Sequence, residues 1–272
     1  MVRFPIDYSD RKEIGRTEEY VSAIGLGTWA IRDYERAYRV FLRAFERGIN
    51  LVDTAEMYDG GRAEEFVGRV VHEFGREEIF VTTKMLPEHL VSREEVLRAG
   101  RRSLERLGFK YVDLFLIHWP NPSISIEEQV RNFEVLVDEG IARYIGVSNF
   151  DRWELERAVT ATRKTEIVVN QVHYSVLHKE PERDLLEYCI REGITIQAYT
   201  PLEKGRVREH EAIKRIARKY GKTPVQVALN YLISRPRVIP IPKTENMDHL
   251  EEILGAMGWR LDPKDVELLE KI

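Results

Sequence analysis

Along the 272 residues, short continuous apolar runs alternate with longer stretches whose apolar positions recur at helical spacing. Strand-like runs lie at 21–26, 50–54, 79–83, 112–117, 144–147, 167–172, 195–198 and 238–241. They are apolar at nearly every position, the pattern of strands covered on both faces. Helical periodicity spans 34–47, 62–74, 92–107, 126–139, 152–163, 182–192, 223–234 and 247–257, with an additional stretch at 209–220. A final helix is predicted over 263–271, behind the Asp262-Pro263 start signal. Gly48, Gly75, Gly108, Gly140 and Gly193 follow helical stretches and suit left-handed caps. Each helix is long enough to carry the chain back across a sheet, so the strands are expected to run parallel. Eight such units close most naturally as one (β/α)8 TIM barrel, and with no linker the whole of 1–272 reads as a single domain. In that architecture function sits on the loops after the carboxyl ends of the strands.

The stretch "AIGLGTWAI" offers a competing reading, because Gly25, Gly27 and Ala30 fit the loose dinucleotide-binding fingerprint. A Rossmann glycine loop must open a helix at once, so that phosphate meets free N–H groups. Here bulky Trp29 fills a variable position and the helical pattern begins only around 33–34. The Rossmann reading is therefore rejected, and the glycines are expected to let the backbone bend at a barrel rim.

Composition narrows the function. Hydrophobic residues make up 43%, enough for a large core, and a net charge of −4 advertises no nucleic-acid face. Apolar runs such as 112–119 are too short to cross a bilayer. The charged start, MVRFPIDYSDRKE, lacks the apolar centre of a signal peptide. Cys189 is the only cysteine, which excludes an internal disulfide and a Cys-rich metal site; it reads as a small buried hydrophobe. His173 and His178 lack metal-ligand spacing, and His72 reads as a solvated helix residue. A cytoplasmic protein without metal is expected, as a monomer or weak homo-oligomer, since a closed barrel leaves no sheet edge. Charged residues at 32% hint at growth at high temperature.

Four polar residues fall at the ends of neighbouring strands: Asp53 and Tyr58 after the second, Lys84 in the third and His118 after the fourth. Singly, each has an ordinary explanation as a cap, loop aromatic, surface cation or core histidine. Together, at one rim, they point to proton transfer by a phenol. A tyrosine is a poor proton shuttle near neutrality unless a cation draws its pKa down from about 10. Lys84 is expected to do this, with Asp53 pairing the ammonium and His118 donating a hydrogen bond to a substrate oxygen.

At this point the chain resembles the aldo-keto reductase family, through "DTAEMYDGGRAEEFVGR", "VTTK", "DLFLIHWP", "IGVSNF", "NQVHYS", "AYTPL" and "IPKTENMDHLEEI" in order. It is most similar to the short, archaeal-type alcohol dehydrogenase branch. The resemblance implies a metal-free barrel that transfers a hydride between NAD(H) or NADP(H) and an aldehyde, a ketone or the matching alcohol. It makes Asp53, Tyr58, Lys84 and His118 the catalytic four, with Tyr58 the general acid in reduction and the base in oxidation. By the same resemblance Ser148, Asn149 and Gln171 bind the nicotinamide carboxamide, Tyr199 stacks on its ring, and Thr200 and Leu202 meet the pyrophosphate. Lys243 and Thr244 match positions for the adenosine 2′-phosphate. His249 stands where NADPH-preferring relatives usually carry arginine, and Glu245 would repel a dianion, so good use of NADH is expected. Trp29, Trp119, Tyr58 and His118 match the substrate pocket, and the short loops "WPNPSIS" and "PLEKGRVRE" suggest an open, permissive site. The alternative is a cofactor-binding, redox-sensing subunit with little turnover.

Overall fold

A computed structural model describes residues 2–272; Met1, first in the charged N-terminal stretch, lies outside the described residues. An antiparallel hairpin of β1 (Arg11–Glu13) and β2 (Tyr20–Ser22) comes first. The barrel strands are β3 (Leu26–Gly27), β4 (Leu51–Asp53), β5 (Phe80–Met85), β6 (Val112–Ile117), β7 (Ala142–Ser148), β8 (Ile167–His173), β9 (Thr195–Tyr199) and β10 (Val238–Pro240). They form one sheet in chain order, every neighbouring pair parallel. The sheet then closes on itself. The Gly25 and Gly27 N–H groups donate to the Pro240 and Pro242 carbonyls, both at 3.0 Å.

Return helices pack outside: α1 (Tyr34–Glu46), α2 (Arg62–Phe74), α3 (Arg93–Leu107), α4 (Ile126–Phe133), α5 (Val135–Asp138), α6 (Arg152–Ala161) and α7 (Leu185–Glu192). They continue as α8 (Glu211–Tyr220), α9 (Pro224–Ile233), α10 (Met247–Leu254) and α11 (Pro263–Glu270). Their ends follow local chemistry. Asp33, Ser92 and Ser125 cap α1, α3 and α4, while Asp151 with Glu154 and Thr223 with Gln226 form capping boxes on α6 and α9. On α1 the buried residues Ala37, Val40, Phe41, Ala44 and Phe45 recur at helical spacing and face the sheet. No helix among the described residues is long and apolar enough to cross a membrane.

The first strand departs from the sequence expectation. The run 21–26 is not one strand: Val21 belongs to the hairpin, and the barrel strand begins at Leu26. The reason is burial at the barrel floor. Ile14 and Val21 pack with Leu51, Phe80, Leu114, Val169 and Ile239, so the hairpin plugs the end where the strands begin. An apolar residue serving that plug cannot be told from a strand residue by pattern alone.

The role expected for Gly25 and Gly27 also changes. Neither has a positive φ. Their need is close approach at the seam: a Cβ on Gly27 would lie 3.0 Å from the Ile241 carbonyl oxygen, and one on Gly25 would lie 2.7 Å from Leu51 Cδ2. The neighbouring helix starts only at Tyr34, far from any phosphate-cradling geometry.

Candidate active site

With the hairpin plugging one end, the polar groups gather at the other. Asp53 ends β4, Lys84 is the penultimate residue of β5, and His118 directly follows β6. All three side chains are buried. Tyr58 arrives on a tight 3-10 turn, Tyr58–Gly61, whose chain reverses through left-handed backbone at Asp59, Gly60 and Gly61. Two glycines make that reversal cheap, and Asp tolerates it better than most residues.

The Lys84 Nζ donates to Asp53 Oδ2 at 2.8 Å, to the Thr54 carbonyl at 2.8 Å and to the Tyr58 hydroxyl oxygen at 3.0 Å. All three of its protons are therefore committed. Burial lowers the Lys84 pKa, but Asp53 and Tyr58 outweigh that effect, and it stands above the usual lysine value. The ammonium is thus fixed and charged.

Tyr58 corrects the expectation from sequence. Its pKa is raised: burial of the phenol outweighs the lowering by Lys84, and the Asp53 charge adds to the rise. A cation alongside does not yield a lowered pKa where removal from water favours the neutral form more strongly. The His118 ring meets Tyr58 edge-on, with centroids 5.8 Å apart, and stacks on Trp119 at 3.9 Å. Burial first, and the Lys84 charge second, hold the His118 pKa at about 2, so this imidazole is neutral. Its Nδ1 is buried without a partner among the described residues.

A second polar layer adjoins the first. Gln171 Nε2 donates to Asp53 Oδ1 at 2.7 Å and to Gln197 Oε1 at 2.8 Å. Ser148 Oγ donates to the Gln171 carbonyl at 2.9 Å, and Asn149 Nδ2 to the His118 carbonyl at 3.0 Å. The Tyr199 hydroxyl donates to Asn149 Oδ1 at 2.8 Å, which fixes a half-buried ring at the end of β9. Asp151, not Ser148 or Asn149, caps α6, so those two polar groups are not consumed as helix caps. Hydroxyl, amide and flat aromatic groups on one rim fit the polar and ring portions of a nicotinamide.

The remaining predicted residues lie on the loops after β3, β6, β9 and β10 and at the start of α10. Thr200 and Leu202 follow β9. Past β10, Lys243 Nζ donates to Glu245 Oε1 at 2.9 Å, Thr244 is buried, and His249 stands exposed in the first turn of α10. Trp29 and Trp119 are 57% and 38% exposed, so neither is consumed by the core.

Sequence reasoning missed three groups. Gln197 joins the Asp53–Gln171 chain, and its signal was available as a polar residue inside the apolar strand TIQAY. Glu64 is fully buried between Arg106 and Thr83, the residue before Lys84, at 2.6 Å from each. His173, expected at the surface or in a structural role, stacks with Tyr199 and bonds to Glu203. Charge periodicity marks neither Glu64 nor Glu203. No group of three or more His, Cys, Asp or Glu among the described residues is placed to hold a metal ion.

Comparison with known proteins identifies the family. The aldo/keto reductase family model matches residues 23–272. Methylglyoxal reductase DkgB of Escherichia coli is 34% identical over 249 residues, covering 90% of each chain. A thermostable aldo-keto reductase crystallised with the inhibitor epalrestat is 40% identical, with a TM-score of 0.89 over 96% of this chain and 98% of that one. An aldo/keto reductase from Klebsiella pneumoniae, solved with NADP and acetate, is 30% identical, with a TM-score of 0.88 over 97% and 95% of the two chains. This chain belongs to the aldo/keto reductase family of nicotinamide-dependent oxidoreductases.

Proposed function

We propose that this protein reduces aldehydes and ketones, including α-oxoaldehydes such as methylglyoxal, as a single-domain enzyme that takes NADH readily and also accepts NADPH. One observation carries the reading: the Lys84 ammonium touches both Asp53 and the Tyr58 hydroxyl, beside a neutral His118.

A bound nicotinamide supplies the hydride that reaches the carbonyl carbon. Tyr58 gives its proton to the carbonyl oxygen, which becomes the alcohol oxygen. Its raised pKa keeps that proton in place until negative charge develops nearby. Lys84 then stabilises the phenolate, held in register by Asp53. His118, neutral, donates a hydrogen bond that orients the carbonyl oxygen. Ser148, Asn149 and Gln171 hold the carboxamide, Tyr199 supports the ring, and Thr200 and Leu202 meet the pyrophosphate. Lys243, Thr244 and His249 face the adenosine end.

Trp29 and Trp119 wall an open mouth in which bulky and small carbonyls are both accommodated. That openness, and the short loops after β6 and β9, support a kinship with short alcohol dehydrogenases. In the alcohol direction Tyr58 acts as the base. Purified protein with NADH or NADPH and a carbonyl panel that includes methylglyoxal tests the reading. Cofactor consumption is expected. Tight cofactor binding without turnover of any carbonyl or alcohol overturns it in favour of a redox-sensing subunit.

A further inference from the structure

The end of β8 carries a cluster outside the four groups around Lys84. His173 and Tyr199 are register partners on adjacent parallel strands, and their rings stack at 5.6 Å with planes 10° apart. His173 also stacks on His178 at 3.9 Å, which the Ser175–His178 bridge folds back over it. One carboxylate oxygen ties this group to the next loop. Glu203 Oε1 lies 2.7 Å from His173 Nε2 and accepts from Ser175 Oγ at 2.8 Å.

The same loop carries backbone strain. Thr200, Glu203 and Lys204 take φ values of 53°, 48° and 53°, a region that side-chain-bearing residues other than Asn and Asp seldom enter. Such conformations persist where surrounding contacts over-determine them, and they concentrate at binding sites. Two backbone bonds, Glu203 N–H to Thr200 O at 3.1 Å and Gly205 N–H to Leu202 O at 2.8 Å, close the turn locally. The Glu203 side chain is what fastens it to the strand beside Tyr199. Burial disfavours the Glu203 carboxylate, but its bonds to Ser175 and His173 prevail and its pKa falls below the usual value. An ionised carboxylate only accepts, so His173 Nε2 carries the donated proton.

We infer that Glu203 and His173 form a latch that positions Tyr199 and the 200–205 loop for the nicotinamide cofactor. The inference rests on the reading of Tyr199 as the support for the nicotinamide ring. Glu203 is a positioning residue: it braces, through His173, the face of a ring whose hydroxyl Asn149 already holds. It also sets where Thr200 and Leu202 stand. Without the latch the loop relaxes from its left-handed turns, and cofactor binding must restore them. The latch therefore acts on cofactor affinity and leaves the Tyr58 chemistry untouched.

The test compares Glu203→Ala, Glu203→Gln, His173→Phe, Tyr199→Ala and the Glu203→Ala/Tyr199→Ala pair. NADH Kd is read by fluorescence, and cofactor KM and kcat by steady-state kinetics. Glu203→Ala is expected to raise Kd and KM roughly tenfold, the scale of a lost charge-assisted hydrogen bond, with kcat at saturating NADH within about twofold of the parent. Glu203→Gln keeps an acceptor for both donors and restores most of the affinity. His173→Phe keeps a flat ring beside Tyr199 but loses the bond, and weakens binding too. In the Tyr199→Ala background, Glu203→Ala adds much less than it does alone. An unchanged Kd in Glu203→Ala and His173→Phe, alongside weakened binding in Tyr199→Ala, overturns the latch and leaves the Tyr199 reading standing. An unchanged Kd in Tyr199→Ala overturns both.

Discussion

The Lys84 ammonium donates to the Tyr58 hydroxyl at 3.0 Å, yet Tyr58 holds its proton more firmly than a free tyrosine. Burial and the Asp53 carboxylate together outweigh the cation. The arrangement suits an acid that must stay protonated until an alkoxide begins to form beside it. On the proposed mechanism the phenol stays protonated across the neutral range, ready for carbonyl reduction.

Replacing that group isolates the chemistry from binding. In Tyr58→Phe the ring remains and the transferable proton goes. Turnover of any carbonyl is expected to fall by roughly 10²–10⁴, the usual worth of a positioned general acid. NADH Kd should stay close to that of the parent, because the proposed carboxamide and ring contacts lie on other strands. Steady-state kinetics and fluorescence titration measure the two quantities separately. Parent-like turnover removes the phenol from the mechanism.

The pH profiles follow from two directions of shift. On the proposed mechanism reduction needs the protonated phenol, and a raised pKa extends its plateau upward, so kcat/KM for reduction should hold until above about pH 10. Oxidation needs the phenolate and should climb with pH over the same range. His118, with a pKa of about 2, adds no limb near its ordinary value of about 6.5. Lys84→Met withdraws the cation that pulls the Tyr58 pKa down, which moves the alkaline limb higher still. An acidic limb between pH 6 and 7 that vanishes in His118→Gln would show that this imidazole titrates during catalysis.

Much of this was legible in the sequence, for a definable reason. Strands such as 112–117 are apolar throughout because helices cover one face and the barrel interior the other, so their positions survive without tertiary information. Asp53, Lys84 and His118 stood out as polar ends to apolar runs. The hairpin did not stand out, since Val21 is apolar for the sake of the barrel floor and mimics a barrel strand. The direction of the Tyr58 shift depends on how deeply a loop residue is buried, which no spacing encodes. The Glu203 partner was equally hidden, because strand register, not proximity in sequence, brings His173 to it.

Packing between α2 and α3 gives a prediction on stability alone. A Cβ at Gly68 would sit 2.1 Å from the Leu107 carbonyl oxygen, a backbone atom that cannot rotate away. Gly68→Ala must push the two helices apart, at a cost of about 1–3 kcal/mol typical of overpacking. Urea unfolding should show a lower midpoint with an unchanged slope. Gly108→Ala serves as a contrast, because no atom lies within 4 Å of its Cβ position and its strain comes only from a φ of +68°.

On the proposed reading, cofactor preference turns on the pair that follows β10. Glu245 Oε1 takes the Lys243 ammonium at 2.9 Å, and Oε2 accepts the Arg32 and Asp33 N–H groups at 3.1 and 2.8 Å. Burial opposes its charge, but the bond from Lys243 and those two N–H groups prevail and lower its pKa. The cation proposed to meet a 2′-phosphate, Lys243, is thus already paired with a carboxylate that would repel the dianion. His249 nearby offers no permanent forked charge. NADH is therefore expected to serve at least as well as NADPH. Glu245→Gln retains an oxygen for the backbone N–H groups while removing the repulsion and releasing Lys243, and should raise the NADPH-to-NADH ratio of kcat/KM roughly tenfold, about 1.4 kcal/mol of charge interaction. Adding His249→Arg should raise it again by supplying a bidentate partner for phosphate. A parent enzyme favouring NADPH more than a hundredfold removes the premise. A ratio that Glu245→Gln leaves unmoved assigns the preference to other residues of that loop.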